Sequence, residues 1–300
     1  MVDVTCLGEA MALLVPAPDP DEWGFTASVG GAESNVACAL SALGIPVRWM
    51  GRVGDDRFGR LVRDTLAEHG VETSAIETDG VRSTGVYVKE LTSSGTRVRY
   101  YRAGSAASAM GPALAARPEI REPRILHLSG ITPALSDSCA GLVEAVLAEP
   151  VAGRLVSFDV NWRPALWADR DPSVLLDHAR RADLVFVGAD EVEELWGVST
   201  PEEIRTLIPE PRTLVVKQGA EGATAYDGDE TAFVAAPRVD VIEATGAGDA
   251  FAAGFLAATL RGLPLRNRLW LGTLAAGAAL RVSGDLGRIP VDIWTEAAAR

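Results

Sequence analysis

Val241-Ile242-Glu243-Ala244-Thr245-Gly246-Ala247-Gly248-Asp249-Ala250-Phe251 decides the reading of this chain, because in eleven residues an apolar run meets a glycine-rich turn and then an Ala-rich helical pattern. Gly246 and Gly248 let backbone N–H groups converge at the helix N-terminus, a natural seat for an anion such as phosphate. Asp249 stands beside that cradle. As a plain helix cap it is unremarkable; as a carboxylate next to a phosphate seat it accepts a proton from an attacking hydroxyl while the cradle, with Gly246, Ala247 and Gly248, stabilises charge on a transferring phosphoryl group.

Working outward, strand candidates at Val2–Leu7, Val47–Val53, Ile125–Ser129, Leu155–Val160, Leu184–Val187 and Leu214–Lys217 are each followed by a segment of helical periodicity. That alternation predicts an α/β fold, a mostly parallel sheet with helices on both faces. Ala250–Leu260 and Leu269–Leu280 read as buried helices, too short for membrane spans. One stretch breaks the rhythm: Thr84–Leu91 and Arg97–Arg102, separated by a turn-rich Thr92–Thr96, read as a β-hairpin. Leu13–Val15 and Phe25–Val29 flank Pro16, Pro18 and Pro20 and can join it. The expectation is one domain over 1–300, with lid segments at approximately 10–29 and 83–104.

Composition narrows the function. Lys plus Arg number 28 and Asp plus Glu 41, a net charge of −13, which argues against a nucleic-acid partner. Nothing suggests a membrane partner either. Met1–Glu9 carries Asp3 and no cationic leader, so it reads as a first strand rather than a signal peptide. Cys6, Cys38 and Cys139 have no CxxC spacing and fit reduced thiols, hence a cytoplasmic location. A Walker-type Gly-x-x-x-x-Gly-Lys-Ser/Thr, a Gly-x-Ser-x-Gly elbow and a His-Glu-x-x-His pair are all missing, and His69, His127 and His178 lack metal-ligand spacing.

Two further segments carry candidate site residues. Gly30-Gly31-Ala32-Glu33-Ser34-Asn35 opens a helix closely enough to meet a ligand, and Gly51–Gly59 follows with more glycines. Phe158–Arg163 leaves a strand, and period-two geometry places Asp159, Asn161 and Arg163 on one face at its carboxyl end, where open α/β sheets bind ligands. In the hairpin, Tyr100 and Arg102 share one strand face, as do Tyr87 and Lys89, a cluster suited to a polyhydroxylated anion.

Together these motifs resemble the ribokinase or PfkB family of carbohydrate kinases, the Gly30–Gly59 region matching its first signature and Ala244–Phe251 its second. The resemblance implies a ribokinase-like three-layer sandwich with a small β lid, ATP as phosphoryl donor and Mg²⁺. Within the family, Gly31–Asn35, Tyr87, Tyr100-Tyr101-Arg102 and Asn161-Trp162-Arg163 are similar to the kinases of 2-keto-3-deoxygluconate. By that resemblance the sugar acid contacts Gly31, Ala32, Glu33, Ser34, Asn35, Tyr87, Tyr100, Tyr101, Arg102, Arg163, Asp249 and Asp285. The nucleotide side is Asn161, Arg163, Lys217, Gly219, Gly222 and Gly246–Asp249, with Glu191 linked indirectly to the metal. Two arginines suit a carboxylate better than a neutral sugar. A kinase for another sugar such as fructose or ribose, or a non-catalytic sugar-binding relative, is the alternative.

Two departures stand out. Gly188 occupies the place of the asparagine in the family's Asn-x-x-Glu motif, and Glu243-Ala244 replaces the Asp-Thr whose aspartate helps hold potassium in cation-activated members. The expectation is little dependence on potassium. Relatives with such lids often pair through them, so a homodimer or higher homo-oligomer is expected.

Overall fold

The computed structural model describes residues 2–17, 24–92, 95–281 and 293–298. Its strands are β1 (Val4–Leu7), β2 (Met11–Pro16), β3 (Phe25–Gly30), β4 (Val47–Met50), β5 (Arg52–Gly54), β6 (Glu77–Asp79), β7 (Val86–Thr92), β8 (Gly95–Tyr101), β9 (Ile125–Ser129), β10 (Leu155–Asp159), β11 (Leu184–Gly188), β12 (Thr213–Lys217), β13 (Gly222–Asp227) and β14 (Glu230–Ala235). Eight of them form one sheet in the order β14-β13-β12-β11-β10-β9-β1-β4. From β4 to β12 every pairing is parallel; β13 and β14 add an antiparallel edge.

The pleat sorts the strand residues between two cores. Val4 and Cys6, Leu184 and Phe186, and Val215 pack on one face with the helices Ala32–Ala42, Ala247–Leu260 and Leu265–Ala279. Leu7, Val185, Val187, Leu214 and Val216 pack on the other, with the helix Asp137–Ala148 and its neighbours. Because strands and helices bury both faces of the parallel part, its strands read as continuous apolar runs. No helix among the described residues is long and apolar enough to cross a membrane.

A second sheet, β3-β2-β7-β8, stands apart from the first, and β5 and β6 form a parallel pair. Asp56 holds the base of the hairpin: it accepts from Gly59 N–H at 2.7 Å as a helix cap and from the N–H of Thr84 at 2.8 Å. The expected strand Val47–Val53 is two strands, broken at Gly51, where a Cβ would run into the Trp49 ring. Val241 and Ile242, apolar in sequence, lie in an irregular exposed segment.

Candidate functional site

The parallel strands all deliver their carboxyl ends to one edge, so Gly8 and Glu9, Asp159, Gly188 and Lys217 arrive together by topology. Facing them is the N-terminus of Ala247–Leu260. Gly246 caps that helix at φ 82°, a left-handed conformation that a side chain would strain. Its capping role leaves Asp249 in the first turn without a capping bond, and the carboxylate is instead held by a residue 214 positions away: Asn35 Nδ2 donates to Oδ2 at 2.8 Å. Asn35 is presented by the first turn of Ala32–Ala42, whose start at Gly31 lies against the Glu9 backbone carbonyl too closely for any Cβ.

Burial, reinforced by the nearby charge of Asp159, pushes the Asp249 carboxyl up to about 7; the Asn35 hydrogen bond and the cations Lys217 and Arg163 oppose that rise without cancelling it. A carboxylate titrating near neutrality is a competent general base.

Lys217 bonds both oxygens of buried Asp159, at 3.1 and 3.0 Å. Burial depresses the amine, but Asp159 and Glu191 more than restore it, so its pKa is raised and it stays an ammonium. The ammonium stands against the glycine turn: a Cβ on Gly248 would sit 3.6 Å from its Nζ. Glu191 accepts from the Gly188 N–H at 3.0 Å and lies 3.6 Å from Arg163 Nη1. With glycine at 188, the backbone amide is the only donor this position offers to Glu191. Burial raises Glu191, with Asp159 adding to the rise and Lys217 opposing it. Gly219 and Gly222 frame the turn after β12, where Gln218 N–H donates to Gly222 O at 2.9 Å.

Asp159, Asn161 and Arg163 do not share a strand face. β10 ends at Asp159, and Asn161 takes φ 44°, so the alternation stops there. Asp159 turns to Lys217, Arg163 is half-exposed beside Glu191, and the buried Oδ1 of Asn161 lacks a hydrogen-bond partner among the described residues.

On the second sheet Tyr87 stacks on Tyr100 with centroids 5.6 Å apart, and the Arg102 guanidinium lies 5.5 Å over the Tyr100 ring. Tyr101 faces the other way, as adjacent strand residues must, and is 61% exposed, so it does not share the Tyr87 side. Arg102 is paired with buried Glu9, whose Oε1 also accepts from Ser105 Oγ at 2.8 Å; the buried Arg102 Nε has no hydrogen-bond acceptor among the described residues.

Ala32, Glu33 and Ser34 are buried. Glu33 turns inward, accepting from Ser129 at 2.6 Å and Thr132 at 3.2 Å. Burial lifts its carboxyl to about 7 against those hydrogen bonds. Asp285 lies outside the described residues.

Two site features escaped sequence reading. Glu9 was visible only as an acid just past the first strand, the position where such sheets keep their polar residues. The other is an ion pair: Lys89 Nζ donates to Glu243 Oε2 at 2.7 Å, while Glu243 Oε1 accepts from Thr245 Oγ1 at 2.8 Å. Burial raises Glu243, yet the bonds from Lys89 and Thr245 bring its carboxyl below the usual range.

Among the described residues no three His, Cys, Asp or Glu side chains form a metal cage. The hard oxygens of Glu191 and Asp159, crowded by Lys217 and Arg163, suit a divalent ion held mainly by a ligand's own phosphates.

The pfkB family carbohydrate kinase model matches residues 1–291. The chain is 34% identical to the 2-dehydro-3-deoxygluconokinase of Bacillus subtilis (strain 168), covering 96% of this chain and 93% of that protein. It is 35% identical to the 2-dehydro-3-deoxygluconokinase of Thermoproteus tenax, over 97% and 92%. The crystal structure of a PfkB protein from Polaromonas sp. JS666 superposes over 100% of both chains with a TM-score of 0.85 at 35% identity.

Proposed function

The chain belongs to the pfkB family of carbohydrate kinases, and from that premise we propose that it transfers the γ-phosphoryl group of ATP to the terminal hydroxyl of 2-dehydro-3-deoxygluconate. The observation that carries the reading is the seating of Asp249, held by Asn35 at 2.8 Å in the first turn of the helix that Gly246 caps. A base and an anion hole in one turn serve in-line phosphoryl transfer.

Asp249 takes the hydroxyl proton as the oxygen attacks phosphorus, the P–O bond to ADP breaks, and ADP leaves carrying the bridging oxygen. The N–H groups of Gly248 and Asp249, orphaned at the helix start, offset the charge that spreads over the transferring group. Lys217 and Arg163 add positive charge on the nucleotide side. Glu191 would help hold a Mg²⁺ entering with ATP, and that ion would supply positive charge against the phosphates.

The sugar acid is favoured by two guanidiniums. Arg102 keeps its Nε for a ligand although Glu9 takes part of its charge, and Arg163 is open to solvent at the strand exit. Tyr87 and Tyr100, on the four-stranded sheet that acts as lid, offer a stacked aromatic surface to the sugar chain. A cytoplasmic setting is supported by three free, buried cysteines. We extend the proposal to a homodimer joined through that sheet, supported by the exposure of Phe25, Val98 and Tyr101 on it.

The test is ADP release with Mg·ATP across 2-dehydro-3-deoxygluconate, its galacto epimer, fructose and ribose. Selective turnover of the keto-acids is the expected result. Preference for a neutral sugar overturns the substrate assignment, and sugar binding without ADP release overturns the kinase.

A further inference from the structure

The Lys89–Glu243 pair joins the four-stranded sheet to the segment that leads into the glycine turn. Lys89 lies on β7, two residues beyond Tyr87 and on the same strand face, and its side chain is only 8% exposed. Glu243 lies 154 residues later, in the irregular segment ahead of the glycine turn. Its second oxygen binds Thr245 twice, accepting from Oγ1 at 2.8 Å and from the backbone N–H at 3.4 Å. The next residue is Gly246, whose left-handed conformation launches the helix carrying Asp249.

An ion pair of one buried and one partly exposed charge contributes little net stability, because the cost of stripping water from the charges offsets their attraction. What it does supply is geometry. Through Lys89 the strand that bears the Tyr87–Tyr100 stack also fixes the turn that presents the N–H groups and the base.

We propose that Lys89 and Glu243 are positioning residues that couple occupancy under the four-stranded sheet to the shape of the phosphate-binding turn, so that sugar and nucleotide bind synergistically. The inference rests on the sugar and nucleotide sides assigned above. Settling the sheet over a sugar draws Lys89, and with it Glu243 and Thr245, into one arrangement; without a sugar the turn is held less firmly and binds phosphate more weakly. Two ligands that favour the same arrangement raise each other's affinity by equal factors.

The experiment is calorimetric binding of Mg·AMP-PNP with and without saturating 2-dehydro-3-deoxygluconate, for the wild type, Lys89→Met, Lys89→Arg, Glu243→Gln and the Lys89→Met/Glu243→Gln double variant, each checked by thermal unfolding. In the wild type the sugar acid should tighten nucleotide binding about 5-fold or more, the lower end of ordinary coupling. Lys89→Met and Glu243→Gln should each bring the ratio to within about 2-fold of unity, with the double variant no lower, as expected of partners in one interaction. Lys89→Arg should retain most of the synergy. In turnover, Lys89→Met should lower kcat more than it raises the sugar KM.

A folded Lys89→Met that keeps the wild-type ratio overturns the coupling, and so does a wild type with no synergy. A wild type that fails to bind the sugar acid while phosphorylating another sugar overturns the substrate assignment instead, and the same series with that sugar then decides the coupling.

Discussion

At the scale of single residues, two carboxyls with similar displaced pKa values do different work. Asp249, pushed to about 7, must lose its proton to act as base, so kcat/KM for the sugar should climb with unit slope below about pH 7 and level off above it. Asp249→Asn should remain folded and bind sugar, with turnover reduced by roughly 10²–10⁴-fold; a variant near wild-type rate removes it from the mechanism. Glu33 is raised from 4.5 to about 7 by burial, so the folded state holds a proton that the unfolded chain has released between those values. Its contribution therefore destabilises the fold as pH rises from about 4.5 to about 7. Denaturant midpoints measured across that window should fall less steeply in Glu33→Gln than in the wild type. Asp249 and Asn35 were legible because glycine turns flag them; the buried bonding of Glu9 and Glu33 was not, since nothing local shows what will meet a carboxylate. Their partners, Arg102 and Ser105 for Glu9 and Ser129 and Thr132 for Glu33, come from distant positions.

Among secondary-structure elements, the helix carrying the base is fixed by its neighbour. Ala247–Leu260 packs on Leu265–Ala279 so closely that a Cβ on Gly254 would lie 2.7 Å from Leu271 O and 2.8 Å from the Gly272 Cα. Gly254→Ala should cost about 1–3 kcal/mol, the usual penalty of overpacking, and should lower kcat as well, because the helix must shift. Urea unfolding with an activity assay checks both; a loss of stability alone would separate the packing from the site. The strands could be read from their β-branched runs and both buried helices from their long apolar stretches, signals that depend on neighbours within one element. The break at Gly51 and the turn at Asn161 could not, since they arise where Trp49 and the Lys217–Asp159 pair take up the space and the charge. Period two failed at Asp159–Arg163 because the strand had already ended.

For the whole molecule, the ammonium of Lys89 already neutralises the carboxylate at the position where the family resemblance placed a potassium-holding aspartate. Replacing tetramethylammonium by potassium should change the rate by less than about 2-fold, as expected when a charge is already paired; a several-fold gain would show that a cation still binds. Sedimentation should give a dimer, and Tyr101→Glu, which places a charge on the exposed side of β8, should shift it toward monomer with the keto-acid specificity kept. A monomeric wild type rejects that assembly. The architecture was legible as an alternation along the chain, whereas the way the small sheet is tied to the catalytic turn was not, because Lys89 and Glu243 share no motif.

The Asn35–Asp249 hydrogen bond spans 214 residues, and that span sets an order of events during synthesis. The first signature leaves the ribosome well before the second, so no nascent intermediate lacking the helix Ala247–Leu260 can carry a working base. Closing so large a loop is among the slow steps of folding. In refolding from denaturant, helical signal should return first and catalysis last, which makes enzymatic turnover a readout of the two signatures having met.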